Sequence, residues 1–447
     1  MVAMAVMLVM TWASFAFGAA SPEEAAKLGT TLTGLGAEKA GNKDGTIPAY
    51  TGGLTKPPAG FKSGSGKYDD PFAGEKPLFS INAQNMAQYA DKLTEGTKFL
   101  MKKFPGYRID IYKTHRTAAV PEYIIVNTAK NAVKATTTNG GLTLKGAHAG
   151  TPFPIPKDGY EAMWNHLTRY TGRALEEDVS CWIVDNQGKL YNTSFYFWWE
   201  EVPYYDEDTT RSDADLIEKW RCVWSGPARR IGEGALLFDS INPYEKGRIA
   251  YQYLPGQRRV KLAPEFAFDT PNFGTSGVST FDEVNIFNGS MERYNMKLIG
   301  KREIYIPYNT YKMSYQVKPE ELFGPKYFNP DLVRWELHRV WVVEGTLKPG
   351  KRHKYHRRTI YLDEDTWSGV SGENYDANGV MYTINFVYQA PAYDIVVPCS
   401  RFMSTYNMIS GVYSVDHWAG KAGFLRAVKV RPERDWAPAS LAGTGVR

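Results

Sequence analysis

The side chains able to do chemistry are few and scattered. The chain of 447 residues holds 7 histidines and 3 cysteines. His338 lies between Leu337 and Arg339 with no serine or cysteine nucleophile motif beside it. No GxSxG, HExxH, phosphate-binding loop or strand-linked GxGxxG occurs. Ser276 sits in a glycine-flanked loop, without the strand–turn–helix setting of a nucleophile elbow. His353 and His356 stand three apart, but the Lys and Arg side chains around them would repel a cation, so no metal site is assigned. Carboxylates pair at Asp206 and Asp208, and at Asp363 and Asp365. A glycosidase needs two carboxylates facing each other across the substrate, and pairs this close in sequence read first as exposed turn residues. No catalytic residue and no cofactor is assigned, and the chain is expected not to be an enzyme.

The cysteines are Cys181, Cys222 and Cys399, with no CxxC pair among them. An odd count leaves one thiol free unless chains pair with each other. Buried apolar cysteines and a Cys181–Cys222 bridge both remain open.

The stronger signal is aromatic. Rings make up 14% of the chain, with 29 tyrosines and 12 tryptophans. Side chains two apart share one face of a strand. That rule groups Trp220 with Cys222 and Trp224, and Trp335 with Leu337, Arg339 and Trp341. It groups Tyr382 with Ile384 and Phe386, and Tyr191 with Phe195, Phe197 and Trp199. The candidate ligand face is therefore Trp199, Trp220, Trp224, Tyr251, Tyr253, Trp335, Trp341, Tyr382 and Phe386. One reading is a core packed between sheet and helices. The other is a concave, greasy face that holds a lipid-like molecule.

Charge adds one feature. The net charge of +5 is mild and its basic residues are interspersed with acids, which argues against nucleic acid as a partner. The exception is the run 348–358, where Arg352, Lys354, Arg357 and Arg358 crowd a predicted hairpin. It reads as a solvated tip, or as a docking site for an acidic partner or an anionic membrane surface.

The elements that would position these residues follow from periodicity. Residues 1–20 read as a signal peptide: an uncharged apolar run, then small residues at Ala16, Gly18, Ala19 and Ala20. No cysteine stands at that junction, so a lipid anchor is not expected. Residues 21–80 are turn-rich and read as an extended arm with one short helix near 22–40. Apolar spacing predicts helices over 81–104 and 157–177. Strand-like pieces fall at 107–112 and 122–126. From about 178 onward strands dominate, with turns at 185–188, 255–256 and 349–350. The expected fold class is α+β: a large curved antiparallel sheet, an incomplete β-barrel, with helices on its concave face. Residues 81–447 form that domain, and the loops 263–298 and 309–332 are long enough to be covers.

Five stretches then resemble a known family: TLTGLGAEKAGNKDGTIPAYTGG (31–53), SGPARRIGEGAL (225–236), YLPGQRRVKLAP (253–264), RWELHRVWVVE (334–344) and HRRTIYLDEDTW (356–367). They are similar to a bacterial domain-of-unknown-function family whose members are labelled outer-membrane lipoprotein-sorting-like. Tyr50 departs from its pattern, where Trp is common. The resemblance covers nearly all of the chain after the leader. It implies a fold like LolA and LolB and a Gram-negative periplasmic address. It also implies an RND-type inner-membrane exporter and an outer-membrane protein as partners, and a lipid or other hydrophobic molecule as cargo. Alternatives are a docking subunit of an export complex that carries nothing, and, more weakly, a hydrolase of envelope polymers.

Overall fold

Eighteen strands organise the described residues. The computed structural model describes residues 20–207, 213–266 and 268–442. The predicted signal peptide up to residue 19, and Asp208, lie outside the described residues. In chain order the strands are β1 (Phe79–Asn82), β2 (Arg108–Ile111), β3 (Thr136–Thr138), β4 (Thr143–Lys145), β5 (Ala174–Val184) and β6 (Leu190–Glu201). Then follow β7 (Leu216–Gly226), β8 (Gly234–Ser240), β9 (Arg248–Leu254), β10 (Arg259–Leu262), β11 (Tyr294–Pro307) and β12 (Arg334–Leu347). The last six are β13 (Arg357–Asp363), β14 (Gly369–Tyr375), β15 (Met381–Val387), β16 (Met403–Asn407), β17 (Tyr413–Trp418) and β18 (Phe424–Ala427).

Apart from the β3–β4 ribbon, all of them join one 16-stranded sheet. Its path runs β1-β2-β12-β13-β14-β15-β16-β17-β5-β6-β7-β8-β9-β10, with β11 also paired to β12 and β18 to β5. This is two antiparallel meanders, β5 to β10 and β12 to β17, joined along the β17–β5 seam. Short connections explain the meanders, since neighbouring strands in sequence pair most readily. Only β2 and β12 run parallel, where Arg334 faces Asp110 and Trp335 faces Ile111. β10 and β1 end the path without meeting, so the sheet does not close into a barrel.

Among the described residues helices are few, and two of them seat directly on the sheet. Glu95–Lys103 starts at Thr94, whose side chain accepts from the Thr97 amide, and it carries Glu95 early and Lys102 and Lys103 late. It docks on β14, where the Gly96 amide donates to Glu373 Oε1 at 2.5 Å. Gly159–Leu167 starts at Asp158, which accepts from the Glu161 amide. A Cβ at Gly159 would stand 2.5 Å from the Met296 backbone, so only glycine lets this helix seat on β11. Between 26 and 78 the arm forms no helix or strand beyond isolated bridges, yet it sends Leu35 and Tyr68 into one core and Ile47 into another.

Several boundaries differ from the sequence expectations. The 81–104 helix is broken: 81–82 end β1, Met86–Lys92 is a 3-10 turn, and extended backbone at Leu93 and Thr94 separates it from the next helix. Residues 122–126 are not a strand but the first turns of helix Glu122–Lys134, which begins after Pro121. The 157–177 helix stops at Leu167, and Ala174 already belongs to β5. Apolar stripes marked the helices at 95–103 and 159–167 but not Glu122–Lys134; the breaks sit where capping and pairing outweighed periodicity.

Candidate functional site

Strands β5 to β9 curve over a cavity that the segment 263–293 covers. The inner part is a slot of about 60 Å³, walled by Tyr196, Trp198, Trp220, Trp224, Phe273 and Phe281. The outer part is a chamber of about 360 Å³ with Tyr244, Phe268 and Phe287 among its walls. Glu218, Arg248, Asn285 and Asn288 line both parts, so the two adjoin. Parity explains the slot's rings. Trp220, Cys222 and Trp224 alternate on β7, and Trp198 of β6 stands opposite Cys222. The Trp198 and Trp220 rings stack with centroids 4.3 Å apart. From the cover, Phe266 stacks on Phe281 at 4.7 Å, and Phe273 leans on Trp224 at 5.3 Å. Such offset and edge contacts each add about 0.5–1.5 kcal/mol beyond area burial.

Charged groups pin the cover. Arg358 of β13 is fully buried and donates to Asp282 Oδ2 at 2.6 Å. His353 Nε2 reaches the same oxygen at 3.0 Å. Next door, Glu283 accepts from Tyr355 at 2.9 Å, Asn374 at 3.1 Å and Thr383 at 2.7 Å. Burial alone would raise the Asp282 pKa, but Arg358 and His353 hold it well below the usual carboxylate range. A second tie is His166. Its Nδ1 accepts the Gly369 amide at 3.1 Å and its Nε2 donates to the Phe287 carbonyl at 2.9 Å.

Among the residues that line the cavity, His417 Nε2, Asn285 Oδ1, Arg169 Nε and Arg401 Nη2 are buried without a hydrogen bond, the last of them ion-paired with Glu200. His417 is 7% exposed and sits at a bulge of β17 with φ +54°. Its ring edge packs on Trp198 at 4.7 Å. Asp416 Oδ1 beside it accepts from Tyr196 at 2.9 Å and from the Cys181 thiol at 2.8 Å. His417 Nδ1 lies 3.1 Å from the Tyr196 oxygen. Opposite, Glu218 forms no hydrogen bond or ion pair among the described residues. Burial first, then Glu200 and Asp239, push its pKa up to about 8. The wall's arginines are engaged: Arg401 with Glu177 and Glu200, Arg248 with Asp239 at 2.7 Å.

A family model, "protein of unknown function (DUF1329)", matches residues 80–442. The chain belongs to the DUF1329 family. Protein PA3922 of Pseudomonas aeruginosa, described as uncharacterized, is 38% identical over 446 residues, spanning 96% of this chain and 95% of that one. Among solved structures, a domain from Vibrio parahaemolyticus described as outer membrane lipoprotein-sorting superposes with a TM-score of 0.44 at 15% identity, over 64% of this chain and 98% of its own. A DUF1329 protein from Desulfovibrio piger gives 0.42 at 15% identity, over 61% and 92%.

In this DUF1329 member the aromatic residues singled out from sequence do not converge on one site. Trp220 and Trp224 line the slot. Trp199 points to the other face of β6, under Arg431, with its Nε1 on Glu176 at 3.0 Å. Both parities of β6 are aromatic, so parity alone could not choose; Phe195 and Phe197 face outward, at 40% and 36% exposed. Tyr251 and Tyr253 pack beneath Trp436 and Leu441 of the C-terminal tail. Trp335 and Phe386 meet at 5.4 Å in a separate core. Trp341 stacks on Trp367, with Lys301 over its ring. Tyr382 lies against Tyr355 and Lys354. The slot residues missed from sequence are Tyr196, Trp198, Phe273, Phe281, Asn285 and His417. The long loop 263–298 was the one signal for three of them.

The basic run is not a simple solvated tip. Arg358 is buried on Asp282 and cannot dock a partner. Lys354 donates its amide to Asp269 of the cover, and Arg357 lies over Tyr375. Arg352 is exposed. The acids 363 and 365 are buried too, against the expectation of exposed turns. Both Asp365 oxygens take Arg116, at 2.6 and 2.9 Å. Burial and Asp365 push the Asp363 pKa up to about 7. His338 joins them, with ligand atoms of all three within 4.8 Å, but the Arg116 guanidinium already supplies the positive charge. Asp206 is held by Arg173. Cys181, Cys222 and Cys399 are free and buried, so no disulfide forms among them. Among the described residues no helix is long and apolar enough to cross a membrane.

Proposed function

We propose that this protein is a carrier or chaperone for a lipid or other hydrophobic molecule in the periplasm. The observation that carries the reading is the covered aromatic cavity, with Trp220 and Trp224 in its wall. The chamber's volume lies at the lower end of the roughly 300–1,000 Å³ typical of small-molecule sites. A cover held by ion pairs rather than continuous sheet is a segment that can lift to admit a ligand. The likeness to a lipoprotein-sorting domain agrees with this reading without supporting it independently. Work with an RND-type exporter and an outer-membrane partner belongs to the same proposal, with exposed Arg352 and half-exposed Lys354 and Arg357 as its contact points.

Native mass spectrometry of the protein isolated from the periplasm tests the reading, together with saturable binding of a hydrophobic fluorophore. A bound small molecule that the fluorophore displaces is the expected result. A bare protein with no saturable binding sinks it.

A further inference from the structure

Two turns of the first meander share one rim of the sheet. The β8–β9 pairing, in which Gly234 faces Tyr253, sets the β7–β8 turn beside the β9–β10 turn. Between them the sheet's concave face reaches the surface in a cleft of about 340 Å³, with Thr193, Arg229, Arg230, Leu254 and Phe273 among its walls. Phe273 also walls the slot, so cleft and slot adjoin at its ring. The arginines here are of two kinds. Arg230 turns inward and donates to Ser194 at 2.7 Å, to the Phe273 carbonyl at 3.2 Å and to Glu233 at 2.9 Å. Glu233 is the one acid of the two turns, and Arg230 takes it up. Arg229, Arg258 and Arg259 are exposed, and among the described residues their guanidiniums form no hydrogen bond or ion pair. Arg258 holds a left-handed φ of +48°, where glycine would sit with less strain. Ile231, two residues from Arg229, is 58% exposed. A stable protein interface needs about 800 Å² per partner around an apolar centre, and one aliphatic tip on narrow turns makes no such centre. Free guanidiniums around a protruding aliphatic side chain match a headgroup layer instead, with phosphates for the arginines and an apolar boundary beneath for the isoleucine. We infer that this rim docks on an anionic membrane surface through Arg229, Arg258, Arg259 and Ile231, which sets the mouth at Phe273 against the lipid.

Docking is separable from the carrier reading, since it depends on the arginines of the rim and ligand binding depends on the slot. Co-sedimentation of the purified protein with vesicles tests it, using phosphatidylcholine alone and phosphatidylcholine with about one third phosphatidylglycerol. Each arginine near an anionic surface adds about fivefold in affinity, so the anionic vesicles should bind on the order of a hundredfold tighter at low salt and lose that advantage at high salt. Replacing Arg229, Arg258 and Arg259 together by glutamine should abolish the advantage. The same charge removed at exposed Lys43, Lys56 and Lys130, which lie outside the two turns, should leave it intact. Arg258→Gly should weaken binding about fivefold without lowering the unfolding temperature, because glycine suits the φ at this position. Ile231→Ser should weaken it roughly tenfold. Equal binding to both kinds of vesicle, or an equal loss from the lysine variant, overturns the docking face while the carrier reading stands. Binding of polyglutamate in place of vesicles, abolished by the triple arginine variant, reassigns the rim to an acidic protein and overturns the membrane as partner. A protein that docks as expected but holds no hydrophobic ligand overturns the carrier reading alone.

Discussion

Arg358 and Asp282 meet at 2.6 Å in a place where neither reaches solvent. One belongs to the sheet and the other to the segment that closes the cavity. The pair is therefore a latch, and its removal should be felt in two ways. Arg358→Ala strands a buried carboxylate and should cost about 3–5 kcal/mol in urea unfolding. Limited proteolysis should then cut within 268–290 before it cuts the sheet. Equal protection of wild type and variant would show that the cover is held elsewhere.

The same carboxyl predicts an acid response. Its folded pKa lies below the ordinary 3.8, so its contribution is present above about pH 4 and is lost as pH falls through that range. Arg358→Ala should flatten the acid limb of stability against pH.

His166 gives a second, separable limb. Burial, with Arg169 adding to it, takes its pKa from 6.5 down to about 3. The unfolded chain binds a proton in that interval and the folded protein does not. Stability therefore falls as pH drops from 6.5 towards 3, by up to about 1.4 kcal/mol per pH unit from this group. His166→Gln should remove that slope. An unchanged slope would assign it to other groups.

Glu218 works in the opposite direction. Its folded pKa is raised from 4.5 to about 8, so the folded state holds a proton that the unfolded chain releases. Stability from this group is present at low pH and declines as pH rises between those values. Glu218→Gln should gain on the order of 1–2 kcal/mol at about pH 9 and little at about pH 5, read by thermal unfolding at both.

Gly159 tests the seating of the helix on β11. Gly159→Ala adds a methyl 2.5 Å from backbone that cannot yield. The loss should be about 1–3 kcal/mol despite alanine's better helix propensity. A neutral or stabilising result would mean that the helix can shift.

Much of the sheet was legible because its strands alternate and its turns carry glycine and proline. β9 ends at Leu254, where the predicted turn at 255–256 begins. The strands 403–407 and 413–418 are buried on both faces. The site was harder. Trp220 and Trp224 were found because one parity of β7 is aromatic. Trp198 was lost to Trp199 because both parities of β6 are. Arg358 looked like a surface charge because its partner, Asp282, lies far away in sequence. His417 gave no signal at all, since its role comes from a bulge and from neighbours on β5 and β6.

The seam between β17 and β5 has a consequence for timing. Most of the slot's sheet wall belongs to the first meander, but Asp416 and His417 arrive on the penultimate strand of the sheet, paired to β5 across more than two hundred residues of chain. Contacts that distant form late, since a long loop must close before they reward it. The first meander can form while the pocket still lacks the wall that Asp416 and His417 supply, so on the carrier reading ligand binding reports that the C-terminal strands have folded.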